Sequence, residues 1–249
     1  MQNPGTATAH IALNVGGRPL RVSLEVPNGA TRVRTMLPVF RQVANAVVDV
    51  GVRQAEAQGE RVSCRKGCGA CCRQLVPITV AEAHALHELI ETLPAGRRAT
   101  ILARFAEARR VLDEAGLLRR LRDRPPDSAR ALGLEYFRLG IPCPFLEDEA
   151  CSIHADRPIA CREYLVTSPA EHCASPSAES VRMVRLSGSA SRALSRLEGP
   201  DARGRSWVPL ILTPECAADM KEPPAREGRV LLEEFFRHLT SAAHQPPRE

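Results

Sequence analysis

Nine consecutive residues, Cys64-Arg-Lys-Gly-Cys68-Gly-Ala-Cys71-Cys72, hold the densest chemistry in the chain. Four potential thiolates in so short a run, with Gly67 and Gly69 letting the backbone fold tightly, suit a bound ion or cluster. Soft thiolates favour zinc, cuprous copper or iron-sulfur clusters over hard cations such as magnesium. Arg65, Lys66 and Arg73 are close enough in sequence to offset the excess negative charge and to draw the thiol pKa values down. Adjacent side chains diverge, so of Cys71 and Cys72 one is free to serve a second centre, or none. Cys143, Cys151, Cys161 and Cys173 can supply the missing ligands once the chain folds back. Eight sulfurs make two four-sulfur sites, or one site with spare thiols, and spacing alone leaves both open. Zinc and an iron-sulfur cluster likewise stay open, with the crowding of thiolates favouring the cluster. Cys216 stands alone and reads as a small apolar residue.

Composition narrows the setting. The chain has 249 residues, 44% of them apolar and 25% charged, which suits a globular protein with a sizeable core. No apolar run approaches the roughly 18–20 residues of a membrane span. The start, MQNPGTATAHIALNV, lacks the basic, apolar and small-residue segments of a secretory signal, so a cytoplasmic location is expected. In that compartment thiols stay reduced and hold metal more often than they form disulfides. The net charge of +5 is almost all Arg on the basic side, Lys66 and Lys221 being the only lysines. Nine aromatics (one Trp, two Tyr, six Phe) give few stacking platforms, so nucleic acid is not expected as a partner.

The elements that must position these thiols are mostly helical, in an α+β chain with a small N-terminal β-hairpin and a turn-rich cysteine cluster joining two sequence regions. Ile11–Val15 and Leu20–Val26 read as strands around Gly16-Gly17-Arg18-Pro19. Helical spacing predicts a helix from about Thr31 to Gln58, bent at Pro38 and ended by Gly59. Thr79 and Glu82 form a capping box for a helix reaching about Leu93. A second apolar face runs from Ile101 to Leu112, with Gly116 interrupting or ending it. Arg124-Pro125-Pro126-Asp127 is a break, and Ser128 to Leu139 a short helix. Glu147-Asp148-Glu149 marks a reversal, and Pro158 to Tyr164 a helical turn with proline early in it. Val181–Leu197 is ambiguous, strand-like then helix-like; Glu198–Arg205 is a loop, Trp207–Leu212 a strand, Gly228–Leu239 a helix, and 244–249 a frayed tail. The expected organisation is a hairpin and helix over 1–60, a cysteine-cluster domain over 61–175, and an extension over 176–249 packed on the same core.

The ordered run Cys64-x3-Cys68-x2-Cys71-Cys72, then Cys143-Pro144-Phe145-Leu146, then Cys151-Ser-Ile-His154-Ala-Asp-Arg157-Pro158-Ile-Ala-Cys161-Arg162-Glu-Tyr164, resembles the YkgJ-type cysteine-cluster family. That family is described as zinc- or iron-chelating. The resemblance implies metal-binding roles for Cys64, Cys68, Cys71, Cys72, Cys143, Cys151 and Cys161; Cys173 lies just beyond the best-matched block. The chain departs from the family pattern at His154, where an aromatic is usual, and at Ala150, where a Gly often stands. An imidazole there could ligate metal, but filling the ring's packing place is the plainer role. Arg157 and Arg162 could stabilise an anionic cluster or simply pair with Asp156 or Glu163, and Tyr164 reads as a core ring.

Three functions from different classes follow. The first is a metal- or cluster-binding protein with a redox, storage or delivery role. The second is an iron-sulfur enzyme. Cys64-x3-Cys68-x2-Cys71 has the spacing of radical SAM enzymes, but Ala70 replaces their aromatic and no strand-helix alternation builds a barrel. Flagellin lysine N-methylase resembles the chain in its cysteine motif, without a methyl-donor site to match. No Gly-rich phosphate loop, Ser-His-Asp set or HExxH motif occurs. The third is a structural zinc domain serving protein interaction.

Overall fold

A computed structural model describes residues 5–123, 129–177, 179–200, 204 and 207–242. The expected break at Arg124–Asp127, the helix start at Ser128, the tail from His244 and part of the 198–205 loop lie outside the described residues.

Strands β1 (Thr6–Val15) and β2 (Arg18–Pro27) pair antiparallel from Thr6↔Pro27 to Val15↔Arg18. The connecting Gly16 and Gly17 have φ of +54 and +81, the mirror-image turn that matches strand twist. Gly16 is required twice over, since a Cβ there would lie 2.5 Å from the Ser187 carbonyl oxygen. β1 begins five residues before the predicted strand, because Thr-Ala-Thr-Ala, of which only Ala9 is partly buried, carries no large apolar residue to announce it. Leu20, Leu24 and Val26 pack on α1 (Val33–Ala57), whose Met36, Leu37, Phe40, Val43, Ala44 and Val47 are buried at helical spacing. Pro38 lies inside α1 without dividing it. α7 (Ala190–Glu198) and α9 (Gly228–Ala242) complete this core, with Phe235 stacked on Phe40 at 4.4 Å between ring centroids.

The chain between these outer pieces builds two further apolar clusters. α2 (Val80–Thr92) starts with the predicted capping box at Thr79 and Glu82. α3 (Ala95–Glu114) buries Ile101, Phe105, Ala108 and Leu112. Gly116, at φ +67, breaks it, and the chain resumes as α4 (Leu117–Asp123), burying Leu117, Leu118 and Leu121; α5 (Ala129–Arg138) follows. The remaining strands are two-residue pairs: β3 (Ala30–Thr31) with β8 (Arg226–Glu227), β4 (Pro77–Ile78) with β7 (Val208–Pro209), and β5 (Leu146–Glu147) with β6 (Ala150–Cys151). The protein is therefore mostly α with a small N-terminal hairpin.

The predicted strand over Trp207–Leu212 is a correction. Only Val208–Pro209 is strand; Leu210–Leu212 forms a 3-10 turn leading into α8 (Thr213–Asp219). A short, uniformly apolar run does not distinguish a buried strand from a buried turn of helix, and the following Pro214 favours a helix start. The ambiguous Val181–Leu197 resolves into one bridge, Val166↔Met183, followed by α7.

Three carboxylates tie the helices around the cysteine region into a ring. Glu82 of α2 accepts the N–H of Ile159, at the start of α6 (Ile159–Glu163), at 2.8 Å. Glu163, ending α6, accepts the Ala190 N–H at the start of α7 at 2.5 Å. Glu198, ending α7, accepts the Val80 and Ala81 N–H groups of α2 at 2.9 and 3.1 Å. Each carboxylate satisfies orphan donors at the positive end of the next helix. Burial pushes all three carboxyl pKa values up, Glu198 to about 7.

Candidate metal centre

The first cysteine block leaves α1 through an extended segment that is pinned where the Ser63 N–H donates to the Val166 carbonyl at 2.9 Å. Gly67 turns the chain at φ +86, and a 3-10 turn, Ala70–Arg73, carries Cys71 and Cys72. Gly69 marks a close approach of the two blocks rather than a positive φ, and the atoms it approaches are the flexible ends of side chains. A Cβ there would lie 2.4 Å from the Glu149 carboxylate and 2.8 Å from Leu146. Thus the first block rests directly on the tip of the β5–β6 hairpin, where Asp148 and Glu149 both take positive φ.

Backbone bonds fix how the two blocks meet. The Cys143 N–H donates to the Cys72 carbonyl at 2.7 Å, and the Leu146 N–H to the Cys143 carbonyl at 2.9 Å. Cys151 sits on β6, Cys161 on α6, and Cys173 in a 3-10 turn, Ala170–Ala174, that packs against Ala70–Arg73. The predicted pairs of sequence regions therefore converge. Cys64, Cys68, Cys71, Cys72, Cys143, Cys151, Cys161 and Cys173 all line one cavity of about 670 Å³. All nine cysteines are free thiols, and Cys216 lies away from this cavity, packed between apolar clusters.

The Cys71 sulfur acts electrostatically on thiols of both sequence blocks. Cys64 and Cys173 feel Cys68 and Cys71, whereas Cys143 and Cys161 feel Cys151 and Cys71. Cys72 is hydrogen-bonded to Cys71, and that bond, followed by burial, pushes the Cys71 thiol far up. Burial is the main cause that raises Cys143, to about 12, and it also raises Cys64, Cys151, Cys161 and Cys173. The expected lowering of thiol pKa by neighbouring cations is overridden at these positions by desolvation. Among the described residues, no three His, Cys, Asp or Glu side chains already stand as an ion's ligand set. The donor chemistry nevertheless fits a thiophilic group. Eight soft donors line one cavity, and their protons would leave on binding.

The basic residues divide by role. Arg65 and Lys66 line the cavity. Arg73 instead forks onto Glu149 at 2.7 and 3.0 Å, clamping the first block to the hairpin tip. Arg162 is 6% exposed and is bound by Asn45 of α1 at 3.1 Å, the Arg157 carbonyl at 3.0 Å and the Ala155 carbonyl, so it is a structural tie. Arg157 lines the cavity, its Nε is buried without a hydrogen-bond partner, and its charge favours the thiolates of Cys64, Cys71 and Cys151. Neither arginine plays the part of simple pairing with Asp156 or Glu163: Asp156 takes Arg41 at 3.0 Å and Glu163 caps α7. His154 is exposed at the cavity rim, its imidazole pKa lowered by Arg157. Tyr164, half-buried, accepts a hydrogen bond from Gln74 at 2.8 Å and also reaches Cys173. The apolar wall, with Phe145, Ile153 and Leu210, was not singled out from the sequence, because only the fold shows which core residues border the thiols.

Residues 63–179 match the family model CxxCxxCC, described as "Putative zinc- or iron-chelating domain". No curated protein and no solved structure matches the chain.

Proposed function

We propose that the chain binds a zinc- or iron-based centre through the cysteines of residues 63–179, and that iron-sulfur is the form the thiol count favours. The observation that carries this reading is the meeting of eight free thiols, from two blocks more than seventy positions apart, on one cavity wall. The family match supports metal chelation as such. Cys64, Cys68, Cys71, Cys72, Cys143, Cys151, Cys161 and Cys173 would hold the group, and a cluster so held would supply electron exchange. A redox role then fits better than bulk storage, since the thiols line one cavity beside Phe145, Ile153 and Leu210, with Arg157 as a fixed counter-cation. Anaerobic purification followed by iron, zinc and acid-labile sulfide analysis tests this. Iron and sulfide in near-equal amounts with visible charge-transfer absorption support the cluster. A colourless protein with tightly held zinc favours the structural-zinc alternative, and absence of every metal after reconstitution removes both. Incubation with S-adenosylmethionine under reducing conditions separates the methylase-like alternative, which requires cofactor cleavage or methyl transfer.

A further inference from the structure

We propose that the outer edge of β1 is a dimerisation edge, pairing antiparallel with β1 of a second copy of this chain. The two-residue Gly16-Gly17 turn makes Val15↔Arg18 a hydrogen-bonded pair, so bonded pairs recur at Leu13↔Leu20, Ile11↔Val22, Ala9↔Leu24 and Ala7↔Val26. The intervening residues turn their backbone groups outward. On β2 these are Pro19, Arg21, Ser23, Glu25 and Pro27. Two prolines remove outward N–H donors there without costing the hairpin a bond, and Arg21 and Glu25 add charge, both ordinary protections of an open edge. On β1 the outward residues are Thr6, Thr8, His10, Ala12 and Asn14, all exposed. None is proline, Asp, Glu, Lys or Arg, and among the described residues no backbone hydrogen bond from outside the hairpin reaches them. One edge is blocked and the other is open.

A second copy is the occupant that this edge fits by its own composition. A two-fold axis through His10 pairs Thr8 with Ala12 and Thr6 with Asn14 of the partner, so every outward group of one strand meets an outward group of the other. Thr6–Val15 contains no Asp, Glu, Lys or Arg, so the one titratable pair brought face to face is His10 with its own copy, which carries no charge when neutral. The same register sets half-buried Ile11 beside Ala9 of the other copy, extending the apolar face that Ala9, Ile11 and Leu13 already lay on the first core. Because β2 is blocked, the assembly closes at a four-stranded sheet of two chains instead of growing into a filament.

Sedimentation velocity across a concentration series, with the protein as purified, tests this. A monomer-dimer equilibrium is expected. Ala12→Pro removes one outward donor per copy at a position that spares the hairpin ladder and should raise the dimer dissociation constant roughly thirty-fold. His10→Glu sets two carboxylates face to face at the axis and should do likewise, which keeps the test open if the proline variant fails to fold. Arg21→Ser, on the blocked edge, should change nothing. A monomer at every concentration, a dimer equally tight in both β1 variants, or assemblies larger than two would overturn the proposal.

Discussion

At the residue scale, Cys71 and Arg157 make the sharpest predictions. Cys71 is the thiol whose charge acts on Cys64 of the first block and on Cys143, Cys161 and Cys173 of the second. Cys71→Ser should therefore lower metal content further than Cys64→Ser or Cys161→Ser, as read by elemental analysis of purified variants. Equal loss in all three would deny Cys71 its shared place. The two arginines near the cavity should separate cleanly. Arg162→Gln breaks a buried three-way tie and should lower unfolding stability by about 2 kcal/mol. Arg157→Gln should leave metal-free stability unchanged but weaken metal retention against a chelator by about tenfold or more, with partial recovery in Arg157→Lys. Identical chelator competition in wild type and Arg157→Gln would remove its counter-cation role. Which arginine would do which was not readable from Asp156-Arg157-Pro158 and Arg162-Glu163, because the bond from Arg162 to Asn45 reaches α1, far away in sequence.

At the element scale, the ring Glu82–Glu163–Glu198 makes stability depend on pH. Glu198 has a folded pKa of about 7, above the ordinary carboxyl value of 4.5. Its contribution is therefore fully present below pH 4.5 and is lost as pH rises through about 7. Thermal unfolding followed from pH 4.5 to 8 should show stability falling by an amount on the order of 2–3 kcal/mol across that window. Glu198→Gln should flatten this part of the profile, and an unchanged slope would contradict the assignment. Glu82→Ala should cost about 2 kcal/mol or more, since it strips the α2 cap and orphans the buried Ile159 N–H. The local half of this arrangement was legible: Thr79-x-x-Glu82 announces a capping box. The long-range half was not, because nothing in the sequence says that a capping glutamate also serves a helix start 77 positions away. For the same reason Trp207–Leu212 misled, whereas the amphipathic α1 and α3 were plain from their own spacing.

At the scale of the whole molecule, the hairpin, α1, α7 and α9 form one core, so the chain's two ends share a scaffold beside the cysteine region. α2 and α6 pack on α1, and α6 delivers Cys161. Thiol spacing showed that two blocks had to meet, but not the apolar residues Phe145, Ile153 and Leu210 that line the cavity with them. The most direct measurement of the central claim is X-ray absorption at the edge of the metal that the purified protein contains. A first shell dominated by sulfur, at about 2.3 Å if the metal is zinc, is the expected result. A shell of only nitrogen and oxygen at about 2.0–2.2 Å would contradict thiolate ligation by this cavity.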